Sequence, residues 1–306
     1  MHDNSDAVGQ VGRVLALRTF PAFRDLSPAE LSAIAEHARP KFFRKNQQVY
    51  RPGIPVRALH FVLRGRLAVS ERGGAREVVG PRQVLGGLEA LSQESAGQSV
   101  VAVEDTLTLQ LDSENLEEVF EDNFPILVAI LRVLAAGQIA LRRRLGPRAG
   151  FPEPQASPPN VSSALDLVER IICLRQTMDF AGTRIEALAD LAQETRRVEL
   201  AAGARLWEAG DSADYALVLI QGRIDAVTGD GTQRFTLGPP ATVGGIDSLA
   251  RGPRWYTATA SSPVLGLRID TQVLLDVIED NTDIATDMLR VFARDLRSLQ
   301  RQLSHA

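Results

Sequence analysis

Apolar residues in this chain recur at two periods, and the periods alternate in a fixed order. Val8, Val11, Val14 and Leu15 fall at helical spacing and predict one amphipathic helix. Leu31 and Ile34 predict a second, behind Ser27-Pro28-Ala29-Glu30, which reads as a capping-box start. The pattern then turns to short β-rich runs at Gln48–Arg51, Leu59–Leu63, Arg66–Ser70 and Glu77–Val79. Glycine turns at Gly53, Gly65 and Gly73-Gly74 separate them, the mark of an antiparallel sandwich or jelly roll. A long helix closes the series, with Leu131, Leu134, Gln138, Leu141 and Leu145 at three-four spacing and one polar interruption. Leu289, Phe292, Leu296, Leu299 and Leu303 form a cleaner seam of the same kind near the end of the chain. Each seam has two readings: it packs on its own β-roll, or the seams pair, within one chain or across a dimer.

The series occurs twice. A shift of 157 residues lays Val14–Arg18 on Ile171–Arg175, Phe23 on Phe180, Leu31 on Leu188, Ile34 on Leu191, Gly53 on Gly210 and Gly65 on Gly222. After one inserted residue the shift is 158, and Gly86-Gly87 meets Gly244-Gly245 while Leu111-Asp112 meets Ile269-Asp270. Glu121–Asn123 then meets Glu279–Asn281, and Leu131–Val133 meets Leu289–Val291. One gap across such a length means two copies of one domain. The copies are placed at residues 7–146 and 165–304. Between them, 147–164 is rich in proline and lacks apolar periodicity, so it reads as a semi-extended linker. Asn46 stands where the second copy has Gly203; asparagine also tolerates left-handed backbone.

Composition narrows the class. The chain has 306 residues, 44% hydrophobic and 24% charged, with net charge −4, which is ordinary for a globular protein and gives no nucleic-acid footprint. Its one cysteine, Cys173, lies in the apolar run Ile171–Leu174, so it is expected as a buried thiol in a reducing compartment. The first residues lack the plan of a signal peptide, and no apolar run is expected to reach the roughly 18 residues of a membrane span. The expectation is a cytoplasmic protein without membrane contact. His2, His37, His60 and His305 are scattered without metal-ligand spacing, and no nucleophile-elbow, Walker or dinucleotide-binding pattern appears. The chain is therefore expected not to be an enzyme and to hold no metal or cofactor.

Candidate chemistry concentrates in Thr242–Ile269. Val243 ends a strand, Gly244-Gly245 open one helical turn (Ile246-Asp247-Ser248-Leu249), and Arg254 follows a polar loop carrying Arg251, Gly252 and Pro253. Tyr256–Ala260 and Val264–Ile269 are then two β-rich runs. Paired glycines at a helix start let backbone N–H groups meet an anion, and an arginine adds charge-assisted bonds. This stretch resembles the phosphate-binding cassette of the cyclic-nucleotide-binding domain, as in catabolite activator protein and the regulatory subunit of protein kinase A. The family pattern F-G-E-(L/I)-A-L, loop, P-R-(A/T)-A-(T/S) is met here by V-G-G-I-D-S-L and P-R-W-Y-T.

That resemblance implies a mainly β fold with flanking helices: two jelly-roll (double-stranded β-helix) domains in tandem. It also implies a regulatory protein whose ligand is cyclic AMP, cyclic GMP or another cyclic nucleotide. Gly244, Gly245, Ile246, Asp247, Arg254, Trp255 and Thr257 are the implied ligand-binding positions. In the family the arginine and the helix-turn amides take the cyclic phosphate, and the glutamate accepts from the ribose hydroxyl. Gly245 stands for that glutamate in the second copy; in the first, Gly87 stands for it and Ala96 for the arginine. Losing one charge-assisted hydrogen bond costs about 1.5–3 kcal/mol, so the first site is expected to be closed to such a ligand and the second weakened or altered. Glu89 and Asp247 are expected as exposed acids favoured by the helix dipole. Trp255 either stacks on a base or fills the pocket, and Arg251 is expected in solvent. In Leu141-Arg142-Arg143-Arg144-Leu145 the arginines are expected to complement the end of their helix, although the run faintly suggests a kinase pseudosubstrate.

Related domains use the closing helix as lid and dimer contact, so a homodimer through the closing helices and an unidentified protein effector are the partners considered. The chain ends three residues after Leu303, where catabolite-activator-like regulators carry a helix-turn-helix module. DNA binding is accordingly not expected. A ligand-independent scaffold for protein–protein contact is the alternative.

Overall fold

A computed structural model describes residues 9–71, 76–93, 97–146, 149 and 165–304. They divide into two compact units, Met1–Ile130 and Leu131–Ala306. In the first, α1 (Gln10–Leu17), a 3-10 turn (Pro21–Phe23) and α2 (Pro28–His37) lead into the roll. Ser27 and Glu30 form the expected capping box at the start of α2. The strands are β1 (Arg39–Phe43), β2 (Gln48–Tyr50), β3 (Ala58–Arg64), β4 (Leu67–Glu71), β5 (Arg76–Val79), β6 (Val84–Leu85), β7 (Gln98–Ala102) and β8 (Thr106–Asp112). Helix α3 (Gly87–Ser92) interrupts them, and α4 (Ser113–Asp122) and α5 (Phe124–Leu145) follow. Two four-stranded antiparallel sheets result, ordered β1-β8-β3-β6 and β2-β7-β4-β5.

The second unit repeats the plan. Helix α6 (Leu167–Gln176), a 3-10 turn (Met178–Phe180) and α7 (Ile185–Glu194) precede β9 (Arg196–Leu200), β10 (Arg205–Trp207), β11 (Tyr215–Gln221) and β12 (Ile224–Thr228). Then come β13 (Arg234–Leu237), β14 (Thr242–Val243), α8 (Gly245–Leu249), β15 (Tyr256–Ala260), β16 (Val264–Asp270), α9 (Thr271–Asp280) and α10 (Thr282–Ser304). Its sheets are ordered β14-β11-β16-β9 and β10-β15-β12-β13. Leu217, Leu219, Ile224, Ala258 and Val264 fill the roll between them. The chain is thus two antiparallel jelly rolls with flanking helices. Gly53, Gly65, Gly203, Gly210 and Gly222 all take positive φ, and so does Asn46 at +67°. Gly222 has no substitute, because a Cβ there would lie 2.2 Å from the Pro263 carbonyl.

Four sequence expectations need amendment. Helix α1 does not bury Val11 and Leu15, which are 74% and 61% exposed. Its packed side carries Leu17 and Arg13, whose Nε donates to the Ala35 carbonyl at 2.9 Å. Helix α5 is long and apolar enough, by length and composition, to cross a membrane, contrary to the expectation that no such run exists. Single polar residues, Arg132 and Gln138, hide the run from a reading by unbroken stretches; several of its apolar side chains, Leu127 and Leu134 among them, are buried in the protein.

Arg142 does more than complement the end of its helix. It is 4% exposed, pairs with Asp295 of α10 at 2.7 Å and donates to the Ala149 carbonyl. Residues Leu131–Leu145 of α5 belong to the second unit, where Gln138 donates to the Phe292 carbonyl and Leu145 packs with Leu299. The two seams therefore meet within one chain. The fourth amendment, to Asp247, is made with the site. Gly73-Gly74, Ser95, Ala96 and, apart from Ala149, the 147–164 stretch lie outside the described residues. Cys173 is buried, and burial pushes its thiol up to about 11.

Candidate functional site

The second cassette is assembled on one left-handed residue. Gly244 (φ +78°) turns the chain from β14 into α8, and its N–H donates to the Tyr256 hydroxyl at 3.1 Å. A Cβ on Gly244 would lie 2.3 Å from Arg254 Nη1 and 2.8 Å from the Trp207 ring, so only glycine satisfies both the conformation and the space. The reason for the tightness is Arg254. It enters from the loop before β15, is 1% exposed, and lies over Trp207 with its guanidinium carbon 3.9 Å from the ring centroid. Nη1 donates to the Gly244 carbonyl at 3.1 Å and to Asp247 Oδ2 at 3.4 Å, and Nη2 donates to the Tyr215 carbonyl.

Asp247 is thus not an exposed acid; it is 1% exposed beneath its own helix and paired with Arg254. Helix α8 has five residues, and its third points back toward the roll where the arginine waits. Burial raises the Asp247 carboxyl, against the pull of the Arg254 charge, its own amide and the Trp255 side chain. Trp255 stands in the roll core, stacked on Phe235 at 5.6 Å. Thr257 Oγ1 accepts from the Ala209 amide at 3.0 Å. Arg251 is exposed. Gly245 begins the helix, with room for a Cβ only if Thr242 yields slightly, at 3.1 Å.

The first cassette solves the same problem without a cation. Gly86 repeats the turn at φ +78°, and a Cβ there would lie 2.3 Å from Tyr50 Oη. Tyr50 aligns with Trp207, and its hydroxyl donates to the Ala58 carbonyl at 2.7 Å. Ala58 aligns with Tyr215, so a neutral phenol serves the backbone oxygen that Arg254 serves in the other copy. Burial, then the charge of Glu89, raises the phenol far above its ordinary range and keeps it protonated. Glu89 aligns with Asp247, so an acid accompanies the donor in both copies. Sequence reasoning missed Tyr50; the 157-residue shift, which pairs two aromatics here, was the available signal. Tyr50→Phe is expected to destabilise the first unit by about 1–3 kcal/mol, the cost of a buried carbonyl losing its donor. Urea denaturation measures it, and an unchanged midpoint refutes the role.

Beside the second cassette lies a cavity of about 290 Å³. It is bounded by the cassette at Gly245, Ile246 and Asp247, by the turn at Asp179, and by Val291 and Asp295 of α10. Arg254 does not line it. Among the described residues no group of three or more His, Cys, Asp or Glu side chains is placed to hold a metal ion.

Two glycine-capped cassettes, each inside an antiparallel roll with a closing helix, agree with the sequence profile of the cyclic nucleotide-binding domain, which matches residues 40–123 and 197–281. The chain belongs to this family. A CRP-like cAMP-activated global transcriptional regulator of Mycobacterium tuberculosis is 28% identical over 129 residues, 41% of this chain and 58% of the relative. The match thus spans little more than half the length of that relative. The regulatory domain of Toxoplasma gondii PKA, solved with cAMP, is 15% identical at 90% coverage of this chain and 95% of that one, with a TM-score of 0.34. The regulatory subunit of a cAMP-independent protein kinase A from Trypanosoma brucei is 14% identical, covering 92% and 91%, with a TM-score of 0.35. The N-terminal domain of a Streptomyces coelicolor transcriptional regulator is 30% identical over 41% of this chain and 93% of that one, with a TM-score of 0.37. The two cyclic nucleotide-binding domains of this chain therefore differ in the donor beneath the cassette: a phenol in the first and a guanidinium in the second.

Proposed function

We propose that this protein is a regulatory sensor whose second domain responds to a cyclic nucleotide or a related phosphate ligand. The observation that carries the reading is the Arg254–Asp247 pair. The second cassette keeps a cation at the position where the family meets phosphate, and a single carboxylate, Asp247, holds it. Asp247 also lines the neighbouring cavity, so it can be displaced from the cavity side. A phosphate would take over the guanidinium and release Asp247, coupling the ligand to α8 and its surroundings. The first domain offers a neutral hydroxyl at the matching place, which favours one ligand per chain.

Parting a buried ion pair is costly, so affinity in the native chain is reduced by the competition. Asp247→Asn removes the competing charge and keeps the shape. It is expected to tighten cyclic AMP or cyclic GMP binding at least tenfold by calorimetry, at one site per chain, because about 1.4 kcal/mol is tenfold. Gly245→Glu restores an acceptor for the ribose hydroxyl and is expected to act in the same direction.

A second reading, a ligand-independent scaffold for a protein partner, is favoured by a separate observation. Arg254 already has two carbonyls and a carboxylate as acceptors and needs no ligand for its charge. Absence of binding in both the native chain and Asp247→Asn selects the scaffold.

A further inference from the structure

The geometry points to the cavity of the second unit as a binding site for a small apolar molecule bearing a protonated amine, with Asp179 as its charge partner. This site is distinct from a phosphate at Arg254 and does not depend on one. The cavity holds about 290 Å³, room for roughly ten water-sized groups. It lies on the outer face of the roll: Ala216 and Ile269, paired across β11 and β16, line it, while Leu217 and Leu219 point into the roll core. Ile246, Met288 and Val291 supply further apolar wall. An apolar body of this size fits there better than water does.

The charges select the ligand's sign. Three carboxylates line the cavity, those of Asp179, Asp247 and Asp295. Asp247 is matched by Arg254 and Asp295 by Arg142. Asp179 has no basic side chain within ion-pair distance among the described residues, so it is the one carboxyl of the described lining without a counter-charge. Thr242, on the cavity wall, is a neutral neighbour of Asp179 and supplies no counter-charge. An ammonium beside Asp179 would supply the counter-charge that this carboxyl lacks, whereas Arg142, the cation in the described lining, is already held by Asp295. Burial raises the Asp179 carboxyl from its ordinary range, opposed by Thr242 and reinforced by Asp295, as expected of an acid lacking a counter-charge.

Benzylamine is a suitable probe, with benzyl alcohol and benzoate as neutral and anionic matches of similar shape. In titrations of the full chain followed by thermal shift and calorimetry, benzylamine is expected to bind once per chain and raise the melting temperature saturably. The alcohol and benzoate are expected to bind at least tenfold more weakly. Asp179→Asn, nearly isosteric, is expected to weaken benzylamine at least tenfold. Val291→Trp, which fills the cavity from α10, is expected to abolish binding while circular dichroism reports an intact fold. Equal binding of amine and alcohol, undiminished binding in Asp179→Asn, or no binding of any probe overturns the proposal. Cyclic nucleotide binding is not read in these titrations, so each outcome bears on the amine site alone.

Discussion

Replacing Arg254 with alanine is expected to cost the second domain about 3–5 kcal/mol of folding stability, because Asp247 is left as a buried charge without a partner. Both side chains are almost fully removed from solvent, so little screening reduces this figure. The guanidinium also spans two carbonyls and lies over Trp207, and nothing else among the described residues replaces those contacts. Arg254→Lys is not expected to rescue, since an ammonium lacks the planar fork that donates in two directions while lying on a ring. The double change Arg254→Met with Asp247→Leu is expected to recover most of the loss, because replacing a whole buried pair by apolar groups is often close to neutral. Chemical denaturation of the three variants checks this, and a loss below about 1 kcal/mol in Arg254→Ala would show a pair as weak as those at protein surfaces. Loss of ligand binding in Arg254→Ala has meaning only alongside that measurement.

Acidification is expected to weaken the first domain by about 3 kcal/mol through one buried imidazole. His60 is 4% exposed, within hydrogen-bond distance of Thr108 Oγ1 (3.1 Å from Nδ1) and beside Phe43 and Tyr50. Burial first, and then the charge of Lys41, lowers its pKa to about 4, against a weaker opposing pull from Asp112. The unfolded chain takes up this proton near pH 6.5 and the folded chain only near 4. The contribution is therefore intact above about pH 6.5, declines as pH falls through the window, and levels off below about pH 4. The second copy has Leu217 at the aligned position, which makes His60→Leu a fitting control. Urea midpoints of that variant should vary less between pH 7 and pH 4 than those of the native chain. An equal pH dependence in the two proteins would remove His60 from the account.

Some of this protein was fixed by its sequence alone, because the responsible forces act over a few residues. The duplication, the capping box at Ser27, the central strands of the first roll and the left-handed turns at Gly53, Gly65, Gly203, Gly210 and Gly222 all follow from local periodicity or from a backbone angle that few residues tolerate. The family followed from the same local pattern. What the tertiary structure decided is where the charges go. Asp247 and Arg254 are separated by a loop, and only the folded roll brings them together and takes both out of water. In the same way Tyr50 reaches the Ala58 carbonyl, and Arg142 turns from a helix-end cation into a buried partner of Asp295. The apolar face of α1 fails for a related reason: periodicity reports that a face exists, and only packing determines whether anything covers it. Charge pairing and burial depend on contacts distant in sequence, so they become legible only once the chain has folded.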